Sequence, residues 1–157
     1  DPGALLYLQQ QHAMTAAELE HLLYNECGLL GVSGISNDMR TLLASSDPHA
    51  HQAVDLFVFR LAREIGALTS SLGGLDGLVF SAGIGEHAAP IRAAVCARLA
   101  WLGIACDEVA NRDDAAVIST TASRVQVRVM ATDEEAMIAT HARDVLLACS
   151  ASPATSP

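Results

Sequence analysis

The sequence predicts one α/β domain built mainly of helices, and three observations carry that prediction. Capped stretches with helical apolar spacing recur along the chain. A continuous apolar run, Leu78-Val79-Phe80, leads through Gly83 and Gly85 into another helical stretch. Val125, Val127 and Val129 alternate with Gln126 and Arg128 as a half-buried strand does. The 157 residues fit the roughly 100–200 of a single domain, and 51% hydrophobic against 17% charged residues leaves ample surface to bury.

Asp1-Pro2 has the form of an N-cap with proline at the first helical position, and Leu5, Leu6 and Leu8 supply a stripe up to His12. Thr15 and Glu18 form a capping box for a second helix carrying Leu19, Leu22 and Leu23, with Gly28 as its stop. Gly28 to Ser36 reads as a buried turn that delivers Asn37-Asp38-Met39-Arg40 to a short helix. Asp47-Pro48 repeats the cap-and-proline start, and Val54, Phe57, Val58, Leu61, Ile65, Leu68 and Leu72 mark a long helix ended by Gly73-Gly74. A strand over Leu78 to Phe80, a glycine turn and a helix with Pro90 near its start follow. Ile104 to Cys106 and Ala116 to Ile118 read as further short strands. Thr132 and Glu135 make a last capping box, opening a helix through Met137, Ile138, His141, Val145 and Leu146 to about Ala148. The domain is expected to cover residues 1–149, with 150–157 a flexible tail that has nothing to bury.

Composition removes several function classes. Nine basic against 18 acidic residues give a net charge of -9, which repels a nucleic-acid backbone. All nine basic residues are arginine, so a Walker A loop, a Schiff-base site and a protein-kinase lysine are excluded. Cys27, Cys96, Cys106 and Cys149 form no C-x-x-C pair and read as small reduced thiols, which suits a cytoplasmic protein. No stretch approaches the roughly 20 apolar residues of a membrane span, and no membrane partner is expected. The start at Asp1, without Met or a basic leader, leads to the expectation of a fragment. The six histidines show no H-E-x-x-H spacing, and Gly-x-Ser-x-Gly is absent.

Three places could carry chemistry. Phe80 to His87 lies where a strand feeds a helix, so bare glycine backbone could approach an anionic ligand; it could equally be a tight turn. Gly83-x-Gly85-x-x-Ala88, with Asp107 further on, also fits a dinucleotide fingerprint. Asp38 and Arg40 could orient and contact a nucleotide, or could simply cap a helix and face solvent. Glu134 and Glu135 open the last helix; with Glu135 explained by the capping box, Glu134 is free to meet a hard cation on phosphates.

Taken together, Asp1-Pro2-Gly3 with Leu5-Leu6-Tyr7-Leu8, Ser33-Gly34-Ile35-Ser36 with Asp38-Met39-Arg40, Phe80 to His87, and Thr132-Asp133-Glu134-Glu135 resemble the C-terminal part of the acetate and propionate kinase family. The resemblance runs from Asp1 to about Ala148 and implies part of an actin-like, sugar-kinase or ribonuclease-H-like α/β domain with helices on a mixed sheet. It assigns ATP contacts to Asp38, Arg40, Gly83, Ile84, Gly85, Glu86 and His87. It also assigns Mg2+ (or Mn2+) to Glu134. It implies a cytoplasmic homodimer that reversibly converts ATP and acetate to ADP and acetyl phosphate, with the catalytic groups upstream of Asp1 and none in this chain. Such a segment is expected to be inactive alone; the alternative is a non-catalytic nucleotide-binding or dimerisation module. Ala82, His87 and Asp133 depart from the family strings G-G-I-G-E-N and T-N-E-E, which points to altered nucleotide affinity with an unchanged fold.

Overall fold

The computed structural model describes residues 1–151, and the side chains of 1–133 and 136–145. The order is α1 (Pro2–His12), α2 (Ala16–His21), a π-turn (Leu22–Glu26), α3 (Gly28–Ser33), α4 (Met39–Ala44), α5 (Pro48–Leu72), β1 (Gly77–Phe80), α6 (Ala82–His87), α7 (Ala89–Arg98), α8 (Glu108–Arg112), β2 (Gln126–Val129) and α9 (Glu134–Ala151). The helix starts follow their caps. Asp1 accepts from the Gly3 amide, Asp47 from that of His49, and Thr15 and Glu18 form the reciprocal box. Gly73, in the left-handed conformation, closes α5.

Four expectations are corrected. Gly28, at φ 69, does follow the preceding helical stretch as its stop, but the run after it is not a turn: Gly28–Ser33 is itself helical, because Leu29 packs against both core clusters and α3 lies on α5. Packing has overridden a glycine-rich local preference. Ile104 to Cys106 and Ala116 to Ile118 make only the single antiparallel bridges Cys106↔Ser119 and Val117↔Arg128. Hydroxyls interrupt the ladder there, Ser119 Oγ accepting from the Val127 amide and Ser123 Oγ from that of Ala105. Thr132 does not cap the last helix; Asp133 does, its Oδ1 accepting from the Ala136 amide at 2.8 Å. Finally α9 continues through Ser150 to Ala151, two residues into the expected tail, whose remainder, 152–157, lies outside the described residues.

β1 and β2 pair in parallel, from Gly77↔Gln126 to Phe80↔Val129. With the antiparallel bridges beside β2, the pairing is mixed. The main core lies between this sheet, α5 and α7: Val58 and Ala62 meet Ile91, Val95 and Leu99, over Phe80, Ile118, Val125 and Val127. Full burial of each such aliphatic stabilises by roughly 1.5–3 kcal/mol. A smaller cluster, Leu42 with Ala50 and Ala53, clamps α4 onto the start of α5. α4 and α6 are therefore each anchored to the same body, and both point loop-borne residues to one side of it.

Candidate functional site

Ser33 builds the approach to the site. Its buried hydroxyl accepts from the Ile35 amide at 3.0 Å and the Ser36 amide at 3.3 Å, and Ser36 Oγ accepts from the Asp38 amide at 3.0 Å. The chain is thereby turned so that Asp38 caps α4, Oδ1 accepting from the Arg40 amide at 2.9 Å. The same carboxylate takes Arg40 Nε at 3.2 Å and Nη2 at 2.8 Å, a two-point fork. This hydrogen-bonded pairing with Arg40, reinforced by the Arg40 amide, holds the Asp38 carboxyl below the usual carboxylate range and raises the Arg40 guanidinium. The Arg40 side chain is 90% exposed, so the pair adds little stability. It does keep a guanidinium pre-oriented at the edge of a cavity.

That cavity, about 360 Å³, is lined by Asn37, Asp38, Met39 and Arg40 on one side and Gly83, Ile84, His87 and Ala88 on the other. The fold thus unites two strings more than forty positions apart. Asn37, Met39 and Ala88 are not among the expected nucleotide contacts; Asn37 and Met39 flank Asp38, and Ala88 ends the glycine string, so adjacency is the available signal.

The glycine string is helical, not an open turn, since Gly83 and Gly85 both lie in α6. A Cβ on Gly85 would stand 3.2 Å from the Phe80 carbonyl carbon, so Gly85 serves close packing of α6 on β1. A Cβ on Gly83 meets nothing within 4 Å. Ala82 adopts φ 57, a left-handed conformation that costs a residue with a Cβ roughly 1–2 kcal/mol.

Glu86 turns away from the cavity. Its Oε1 accepts from the Thr132 amide at 2.9 Å and the Thr132 hydroxyl at 3.0 Å, tying α6 to the segment before α9. The Thr132 amide, then its hydroxyl, hold the Glu86 carboxyl below its ordinary 4.5. Of the expected nucleotide residues, Asp38, Arg40, Gly83, Ile84 and His87 line the cavity, while Gly85 and Glu86 support its wall. The Glu134 and Glu135 side chains lie outside those described. With Thr132 committed to Glu86, the elimination that reserved Glu134 for metal no longer stands on the capping box. Among the described residues, no three His, Cys, Asp or Glu side chains converge.

A buried arginine escaped the sequence reading altogether. Arg92 is wholly inaccessible, and its five N–H groups are all placed. Nε donates to Asn111 Oδ1 at 2.7 Å, Nη1 to the carbonyls of Gly85 at 3.0 Å and Glu86 at 2.7 Å, and Nη2 to the Asn111 carbonyl at 2.6 Å and to Asp114. Asn111 Nδ2 in turn donates to the Ala89 carbonyl at 2.9 Å. The cue in the sequence was a lone Arg inside an apolar helical pattern.

Other candidates resolve structurally. Asp107 accepts from the Val109 and Ala110 amides and caps α8, and it does not line the cavity that Gly83 lines, so the two parts of the dinucleotide fingerprint do not meet there. Cys27, Cys96 and Cys106 are free, and burial, with Cys106 alongside, pushes the Cys96 thiol up to about 12. No helix among the described residues is long and apolar enough to cross a membrane.

An α/β body with a cavity between a D-x-R helix start and a glycine-bearing strand-to-helix junction is part of an actin-like ATPase fold, as its structural neighbours are. The chain belongs to the Acetokinase family, whose family model matches residues 1–140. It is 58% identical over 143 residues to the acetate kinase of Rhodopseudomonas palustris strain TIE-1, which covers 90% of this chain and 36% of that protein. It is 54% identical over 141 residues to that of Rhizobium meliloti, with the same coverage. The crystal structure of Porphyromonas gingivalis acetate kinase superposes with a TM-score of 0.81 at 35% identity, over 93% of this chain and 38% of that one. A propionate kinase from Francisella tularensis gives 0.80 at 35%, over 88% and 36%. The chain therefore spans about a third of the length of the curated relatives it matches.

Proposed function

We propose that this chain supplies the adenine-nucleotide and divalent-metal contacts of an acetate kinase. The whole enzyme transfers the γ-phosphoryl of ATP to acetate: a carboxylate oxygen forms the new P–O bond as the bond to ADP breaks, giving acetyl phosphate, and the reaction runs both ways. The observation that carries this reading is the single cavity shared by Asp38 and Arg40 with Gly83, Ile84 and His87. Arg40 offers a planar guanidinium to stack on or bond the nucleotide, Asp38 holds it ready, and Gly83 leaves the wall bare for close approach.

A Mg2+ or Mn2+ ion bound to the ATP phosphates would supply charge neutralisation for the transfer, and Glu134 would be the residue of this chain that meets it. A hard ion bound this way needs only one or two protein carboxylates, which suits a donor set with no three-ligand cage among the described residues. Glu134 is the assigned carboxylate; its backbone opens α9, two positions beyond the Thr132 that Glu86 ties to the cavity wall. The acetate pocket and the catalytic groups belong to the rest of the protein, so the isolated chain does not turn over. The whole enzyme works as a cytoplasmic homodimer without nucleic-acid or membrane partners.

Isothermal titration of the chain with Mg-ATP tests this, with NAD as control. Arg40→Ala and Glu134→Ala each weaken ATP binding about tenfold or more, as loss of a charge-assisted contact should. A folded chain that ignores ATP but self-associates would favour a dimerisation module instead, a reading supported by exposed Leu68, Leu72 and Trp101.

A further inference from the structure

Gly85 and Glu86 form the last turn of α6, the helix whose Gly83, Ile84 and His87 make one wall of the cavity. Their carbonyls face inward and both accept from one atom, Arg92 Nη1. The other three donors of that guanidinium run to Asn111 and Asp114, which sit at the end of α8 and just beyond it. Asn111 Nδ2 also donates to the Ala89 carbonyl, at the start of α7, at 2.9 Å. Asp114 is itself held at φ 50, a left-handed conformation that the arginine contact helps keep in place.

We propose that Arg92 is the positioning residue of the nucleotide-facing wall: its fork sets where α6 ends relative to α7 and α8, and so where Gly83, Ile84 and His87 stand. This rests on the nucleotide reading of the cavity. Arg92 itself is fully buried and does not line the cavity, so it acts through the backbone and makes no contact with ligand. The geometry demands the planar fork. A lysine keeps the charge but is a compact point donor with three N–H groups, and it cannot reach carbonyls on both sides at once. The arginine's hydrogen bonds join the end of α6 to that of α8.

The test uses the full chain with Arg92→Lys and, because that variant fills a buried place and could fail to fold, Asp114→Ala, which removes one outer bond from a half-exposed acceptor. Amide NMR of the ligand-free proteins is recorded beside thermal unfolding and Mg-ATP titration, all at a temperature where each variant is folded. Arg92→Lys is expected to shift and broaden the amides of Gly83 to Ala88 while leaving those of α5 in place, and to weaken Mg-ATP binding at least tenfold; Asp114→Ala does the same to a smaller degree, about threefold. A merely structural arginine would lower the melting temperature and leave the affinity of the folded protein unchanged. Unmoved Gly83 to Ala88 amides in both variants, or wild-type affinity in both, overturns the proposal. A wild-type chain that binds no Mg-ATP, yet whose α6 amides move in the variants, removes the nucleotide reading and leaves the positioning of the wall standing.

Discussion

At the scale of single residues, two side chains carry consequences that their neighbours do not. Ala82 sits at φ 57 where the family string has glycine, so the fold bears left-handed strain at the entrance to α6. Ala82→Gly removes that strain but loosens the unfolded chain, and the net gain is about 0.5–1 kcal/mol. Chemical denaturation checks it: the midpoint rises with an unchanged slope. Glu86 makes a pH-dependent tie. Its carboxyl is lowered by Thr132, so the charged form is favoured in the folded state, and its contribution is complete above the ordinary 4.5 and disappears as pH falls through the lower folded value. The stability difference between wild type and Glu86→Gln is therefore flat from neutral pH down to about 4.5 and then closes towards zero in acid. A difference that stays constant to the lowest pH would mean the carboxylate is not the acceptor for Thr132.

At the scale of elements, α6 offers a contrast between two glycines two positions apart. Gly85→Ala brings a methyl to 3.2 Å of the Phe80 backbone, which cannot swing aside as a side chain can, and costs about 1–3 kcal/mol by overpacking. Gly83→Ala meets open space and gains up to about 1 kcal/mol from helix propensity, while its methyl enters the cavity and weakens Mg-ATP binding. Gly85→Ala thus lowers stability, whereas Gly83→Ala moves stability and affinity in opposite senses; paired denaturation and titration measurements separate them. From the sequence, the two glycines looked alike. The caps of α1, α2 and α5 were legible because capping is local chemistry, a carboxylate or hydroxyl meeting an amide two or three positions on. The helicity of Gly28–Ser33 was not, because it depends on Leu29 meeting residues of α5, and the role of Arg92 was not, because its partners Asn111 and Asp114 lie 19 and 22 positions away. Thr132 was misassigned for the same reason: a glutamate 46 positions distant outcompeted the local box.

At the scale of the whole molecule, the two halves of the cavity were readable as strings, and their meeting is the work of α5 and α7, which hold α4 and α6 on one body. That body is not closed. Among the described residues, apolar side chains are left open: α1 buries none, Leu68 and Leu72 near the end of α5 are 62% and 73% exposed, and Trp101 is 69% exposed. Monomeric proteins seldom leave such area to water, and the charge of -9 opposes association without covering it. The chain alone should therefore bind a hydrophobic dye and sediment at micromolar concentration as species larger than a monomer. Raising salt, which screens the net charge while leaving apolar attraction intact, should increase the larger species. Replacing Leu68 and Leu72 by glutamine should return the chain towards the monomer without loss of Mg-ATP binding, because neither residue lines the cavity. A monomer with no dye binding would show that these faces cover one another in solution, and would require α1 and the end of α5 to repack from the positions described.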